Sequence, residues 1–109
     1  VEDALVAWFE ERVGPENVQR QVYQPGPRWF VDIVVEVGYA TLYVEVENDA
    51  DSVRPGIAQA LGYAAGDTAA GVPVVVTPKG QLHDAKVQRL RHSSTVLVRE
   101  FDLEAGTFA

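Results

Sequence analysis

A chain of 109 residues with 47% hydrophobic and 23% charged composition suits one globular domain, residues 1–109, and lies outside the disordered range. The absence of cysteine excludes disulfides, thiolate zinc sites and thiol catalysis, so any metal needs oxygen ligands. A net charge of −7 and a pI of about 4.6 oppose a polyanionic partner unless cations gather on one face.

Seven arginines and two lysines against sixteen acids resemble the balance of halophilic proteins. At about 1 M salt the screening length falls to roughly 3 Å, so net charge then says little about a local site. No apolar run approaches the roughly 18 residues of a membrane span, and the first residues lack a basic start and apolar stretch. The expectation is a soluble, cytoplasmic protein with no membrane partner.

Residues 1–13 place Leu5, Trp8, Phe9 and Val13 on one helical stripe, which Gly14-Pro15 stops. Residues 17–23 read as a short strand, 24–27 as a loop, 28–37 as a long strand and 40–48 as another. A second helix is expected from Ser52 to about Gly66 or Gly71, with Ile57, Leu61 and Ala64 at helical spacing. Ser52 would be its cap, and Pro55 would lie in its first turn. The apolar run 72–77 suits a strand buried on both faces and reached by a crossover. A third helix over about 82–91 and a strand over 95–101 complete an α-β-β-β-α-β-α-β order.

Gly38-Tyr39 suits a type II′ turn with glycine at its first central position. That turn pairs Val37 with Ala40 and sets Asp32 opposite Glu45. Alternation then gathers Val31, Ile33, Val35, Val37, Ala40, Leu42, Val44 and Val46 on one aliphatic face. Asp32, Glu45 and Glu47 point the other way, with Phe30, Val34 and Tyr43 beside them. Like charges directly opposite destabilise strand pairing, and no cation within the hairpin offsets them. A hard divalent cation would resolve the conflict, since Mg²⁺ takes one or two carboxylates together with waters and substrate phosphate. The same acids also suit an exposed, solubilising strand face. A calcium loop over Glu47, Asp49 and Asp51 fails, because Ser52 stands at its glycine position and Ala58 at its bidentate acid.

The run 29–64, WFVDIVVEVGYATLYVEVENDADSVRPGIAQALGYA, resembles the core of the PD-(D/E)xK nuclease superfamily, which includes Holliday junction resolvases, restriction endonucleases and RecB-like exonucleases. The resemblance implies an α/β fold with a restriction-endonuclease-like αβββαβ core, in which helices flank a mixed central sheet. It implies Mg²⁺ or Mn²⁺ at Asp32, Glu45, Val46 and Glu47, a Q-x-x-x-Y pair in Gln59 and Tyr63, and a glutamate from the first helix, for which Glu2 is best placed. It further implies phosphodiester hydrolysis in nucleic acid, with DNA as the expected partner and a homodimer as one arrangement.

The chain departs from the family where E-V-E replaces (D/E)xK, putting Glu47 at the lysine position. An acid there would ligate a second metal or accept a proton from the attacking water. Alternatively Lys79, Lys86 or Arg54 takes over the lysine's part, or the centre is inactive and the domain binds nucleic acid without cutting it. An acidic interaction domain without metal is a third reading. Gln59 and Tyr63 share a helical stripe with Gly56 and Gly66, which allows close approach of backbone or phosphate. Lys86, Arg89 and Arg91, with Arg54 and Lys79, are the candidate nucleic-acid contacts. His83 and His92 have no adjacent nucleophile, so a Ser-His-Asp mechanism has no support.

Overall fold

The computed structural model describes residues 1–25, 29–67, 70–83, 85–93 and 95–109, the side chains of Lys86, Val87 and Ser93 apart. Its elements run α1 (Glu2–Val13), β1 (Val18–Tyr23), β2 (Phe30–Val37), β3 (Ala40–Val46), α2 (Ala50–Ala65), β4 (Gly71–Pro78), α3 (Ala85–Ser93), β5 (Leu97–Asp102) and β6 (Thr107–Phe108). The fold is α/β, with one six-stranded mixed sheet in the order β1-β2-β3-β4-β5-β6. The strand β2 runs antiparallel to both of its neighbours, β1 and β3; β3, β4 and β5 are parallel neighbours, and β6 closes antiparallel on β5.

The two sheet faces divide the core. Leu5, Val6 and Phe9 of α1 pack with Val18, Ile33, Val35, Val44, Val74, Val76 and Phe101. On the other face Val53, Ile57 and Ala60 of α2 meet Val75, Leu82, Val96 and Val98, while Tyr63 and Ala64 meet Val31, Val34 and Tyr43. Alternation explains why Val74 and Val76 serve one layer and Val75 the other. Truncating a fully buried side chain such as Leu5 costs about 2–5 kcal/mol, so α1 is firmly held against the sheet.

The hairpin has the expected register, Val37↔Ala40 through Ile33↔Val44. Gly38 has φ 60, and Tyr39 is not among the described non-glycine residues with positive φ, as type II′ requires. The aliphatic face is corrected at Val31, which packs with Tyr63 on the α2 side rather than beside Ile33. The cause lies next door: the β1–β2 ladder runs to Arg20↔Ile33, resumes at Val22↔Val31 and skips the intervening step. Gln21, at that step, has φ 48, and Val22 also packs toward Tyr63. Val37, 41% exposed, lies at the rim rather than in the core.

Three further expectations are corrected. Asp49, not Ser52, caps α2, its Oδ1 accepting the Ser52 N–H at 3.0 Å. The helix therefore starts at Ala50 and Pro55 falls in its second turn, where its ring removes the N–H that would reach Asp51. Leu61 is 38% exposed, so Ile57, Ala60 and Ala64 carry the packing. Residues Gln81–His83 form a separate 3₁₀ turn, whose Leu82 N–H donates to Glu100 Oε2 at 3.1 Å, and α3 begins only at Ala85. The strand β6 was not expected, because two residues carry no periodicity. It brings the Phe108 ring against Trp8 and Phe101, at centroid distances of 4.8 and 5.4 Å. Among the described residues no helix is long and apolar enough to cross a membrane.

Candidate functional site

The hairpin forks at its acidic end. Beyond Ile33↔Val44 the strand β3 leaves β2 and follows β4 as far as Val46↔Val76, and the Glu47 N–H continues to the Val76 carbonyl at 2.9 Å. The half-buried Asp32 side chain fills the gap, its Oδ2 accepting the Val46 N–H at 2.9 Å. A carboxylate thus replaces the ladder partner that β2 no longer supplies. Adjacent N–H and C=O groups of one extended residue point to the same side of a strand, so the Val46 carbonyl faces this gap as well. The expected Asp32–Glu45 pair lies one step beyond Ile33↔Val44, the last pair of the ladder, so the strands separate before reaching it; Glu45 itself is buried at 4% exposure.

Two clefts meet at Asp32 and Val46. One, of about 380 Å³, is lined by Val1, Glu2, Asp3, Asp32, Val46 and Asn48. The other, of about 330 Å³, is lined by Gln21, Phe30, Asp32, Glu45, Val46 and Glu47. The fold therefore brings together Glu2, Asp32, Glu45, Val46 and Glu47, although Glu2 comes from α1 and the others from the hairpin and its exit.

Two residues that sequence reasoning passed over temper this charge. Arg20 Nη2 lies 2.7 Å from Glu2 Oε2 and 2.7 Å from Asp3 Oδ1. Those bonds, Glu2 first and Asp3 next, raise the guanidinium pKa above its ordinary value. Gln21 Nε2 is 3.3 Å from Glu2 Oε1 and 3.5 Å from Asp32 Oδ1, so one neutral amide spans two carboxylates. Its φ of 48 is uncommon for a residue with a side chain, and such backbone outliers gather where a group is being aimed. Neither residue left a signal in the sequence beyond standing in the strand that precedes the hairpin.

The helix α2 supports the fork from below. Tyr63 is fully buried, and its hydroxyl donates to the Phe30 carbonyl at 3.1 Å, two residues before Asp32. The Tyr63 carbonyl in turn accepts Gln24 Nε2 at 3.3 Å. Gly56 is where Glu47 rests: a Cβ on that glycine would stand 2.7 Å from Glu47 Cγ and 2.8 Å from its Oε1. Gln59 lines neither cleft, and its Oε1 is buried without a hydrogen-bond partner among the described residues.

The candidate cations whose side chains are described line neither cleft. Lys79 Nζ pairs with Asp102 Oδ2 at 3.3 Å. Arg54 lies exposed on α2, Arg89 exposed and Arg91 half-buried on α3, and none of them lines either cleft. The Lys86 side chain lies outside the described residues.

The donor set is carboxylate and carbonyl oxygen, the chemistry that Mg²⁺ and Mn²⁺ prefer. Among the described residues no three of His, Cys, Asp and Glu converge as a ready-made cage. Mg²⁺ does not require one, since it retains waters and commonly takes only one or two protein carboxylates. The carboxylates that line the cleft with Asp32 are of the donor type such an ion takes. No protein-family model, curated protein or solved structure matches the chain.

Proposed function

We propose that this protein is a metal-dependent nuclease of the PD-(D/E)xK kind, hydrolysing phosphodiester bonds of nucleic acid, with DNA as the first substrate to test. The observation that carries the reading is the fork, where Asp32 and the buried Glu45 line one cleft and Asp32 borders a second, both with further acids in their walls. The order α1-β1-β2-β3-α2-β4 and the mixed sheet agree with a restriction-endonuclease-like αβββαβ core, the finer fold assignment that belongs to this proposal.

Asp32, Glu45 and the Val46 carbonyl would hold Mg²⁺ or Mn²⁺, with Glu47 as a further ligand. When bound, the ion lowers the pKa of a coordinated water and offsets charge on the attacked phosphate. Glu47 stands in the same cleft, and as a base it would take the proton of the attacking water. Gln21 and Arg20 hold Glu2 and limit repulsion around the site. Tyr63 acts through the Phe30 carbonyl, fixing the segment that carries Asp32 rather than reaching substrate itself.

A second reading is a noncatalytic nucleic-acid-binding or assembly domain, favoured by Glu47 at the lysine position and by the net charge of −7. One experiment separates them: incubation with Mg²⁺ or Mn²⁺ and plasmid, linear, single-stranded and junction DNA, at low and at molar salt. Thermal unfolding with Mn²⁺ accompanies it. An ion at hundredfold excess over its dissociation constant stabilises the folded state by about 2.7 kcal/mol. Asp32→Asn, which keeps an acceptor for the Val46 N–H, should lose that gain together with cleavage. Equal Mn²⁺ shifts in the wild type and the variant would sink the metal site.

A further inference from the structure

Where β1 ends and β2 begins, three aromatic side chains stand exposed: Tyr23 at 63%, Trp29 at 53% and Phe30 at 51%. The Tyr23 and Trp29 rings are near-parallel, at 16° with centroids 5.9 Å apart, and Phe30 meets Tyr23 edge-on at 5.8 Å. Trp29 has φ 68, a left-handed conformation rare for a bulky residue, while its carbonyl accepts the Gln24 N–H at 3.0 Å. Phe30 belongs to two sets at once. It completes the aromatic group and lines the cleft that holds Asp32, Glu45 and Glu47.

We infer that Tyr23, Trp29 and Phe30 form a stacking platform for unpaired bases of a single-stranded nucleic acid whose backbone enters the acidic cleft. The inference rests on the nuclease reading and adds to it the structure of the substrate. A chain of net charge −7 gains little from long-range attraction to phosphates, so its grip must come from another source. Base stacking on aromatic rings is independent of charge sign and tolerant of sequence. Bases in a duplex already have their faces covered, so the platform selects unpaired ones. A second copy of the chain adding to the β1 edge is the competing occupant. The left-handed backbone at Gln21 breaks that edge in mid-strand, and a bent edge is a poor template for strand addition.

The test is fluorescence anisotropy with labelled oligothymidylate and a blunt duplex of matched length, in EDTA so that no cleavage intervenes. The wild type should bind the single strand more tightly than the duplex. Trp29→Ala should weaken single-strand binding about tenfold or more, and Trp29→Phe should retain most of it. Because the ring is exposed, melting temperatures should stay together; Tyr23→Ala serves as a second variant on the same platform. Equal affinity for both nucleic acids, or equal affinity of wild type and Trp29→Ala for the single strand, overturns the inference. So does a wild-type dimer in sedimentation that Trp29→Ala dissociates. Wild-type cleavage with Mn²⁺ is scored separately. Single-strand binding lost in Trp29→Ala, with no cleavage, keeps the platform and removes the nuclease, whereas cleavage without single-strand preference does the reverse.

Discussion

Two groups of acids lie along the same edge of the sheet, at the carboxyl ends of its parallel strands, and they are used differently. Around β5, Asp102 Oδ1 accepts the backbone N–H groups of Glu104 and Ala105 at 3.0 and 3.2 Å, and Oδ2 takes Lys79. Glu100 Oε2 accepts the N–H groups of Gly80 and Leu82. These oxygens are occupied by donors of neighbouring loops, and the acids fix the turns that follow β4 and β5. At the fork, Asp32 accepts one backbone N–H and lies near one amide, and Glu2 bonds Arg20 and Gln21, yet Glu2, Asp32, Glu45 and Glu47 also form the walls of open clefts. An acid that satisfies nearby N–H groups is architecture. Acids that a helix and a hairpin together bring to the walls of a cleft are where chemistry is to be sought.

The largest expected effect tests the fork directly. Glu47→Gln is isosteric and should keep the fold, yet cut cleavage by about 10²–10⁴-fold if Glu47 is a base or ligand. A folded Glu47→Gln protein that cleaves as fast as wild type would falsify that role. An inactive wild type that gains activity as Glu47→Lys would assign the site to the noncatalytic reading instead.

Gly56→Ala probes the same carboxylate without touching it. Alanine in a helix interior is worth about 0.5–1 kcal/mol over glycine, but here its Cβ would stand 2.7 Å from Glu47 Cγ. The variant should melt close to wild type and cleave several-fold less, because Glu47 must move. Unchanged kinetics would mean that Glu47 need not rest on α2.

Tyr63→Phe removes one hydroxyl and its bond to the Phe30 carbonyl. It should cost about 1 kcal/mol in thermal or urea unfolding and a measurable part of the cleavage rate. A loss of stability with intact cleavage would return Tyr63 to the core alone, severing the link between α2 and the fork.

The smallest effect lies at the other acid group. The Ala105 N–H, Lys79 and the Glu104 N–H lower the Asp102 pKa below its ordinary 3.8. A depressed carboxylate contributes stability that is present above its unfolded pKa and lost as pH falls through the folded value. Asp102→Asn should therefore flatten the acid limb of the wild-type stability curve below pH 3.8, without altering Mn²⁺ binding. An Mn²⁺ response that changed in this variant would erase the distinction between the two groups.

What the sequence determined by itself was local. The Gly38-Tyr39 turn and the valine alternation set the hairpin register, because a turn type fixes pairing and a strand repeats every two residues. That register holds as far as Ile33↔Val44, one step short of the Asp32–Glu45 pair expected from it, and the apolar run of β4 implied its parallel place beside β3. Tertiary structure decided what depends on residues far apart in the chain. Arg20 meets Glu2 across 18 positions, and Gln21 meets it across 19. The rotation of Val22 and Val31 toward α2 and the resting of Glu47 on Gly56 likewise carry no periodic signature. Hydrophobic patterns report which face of an element is buried, but not which neighbour covers it. The partners of a carboxylate are fixed only when helices and sheet have packed.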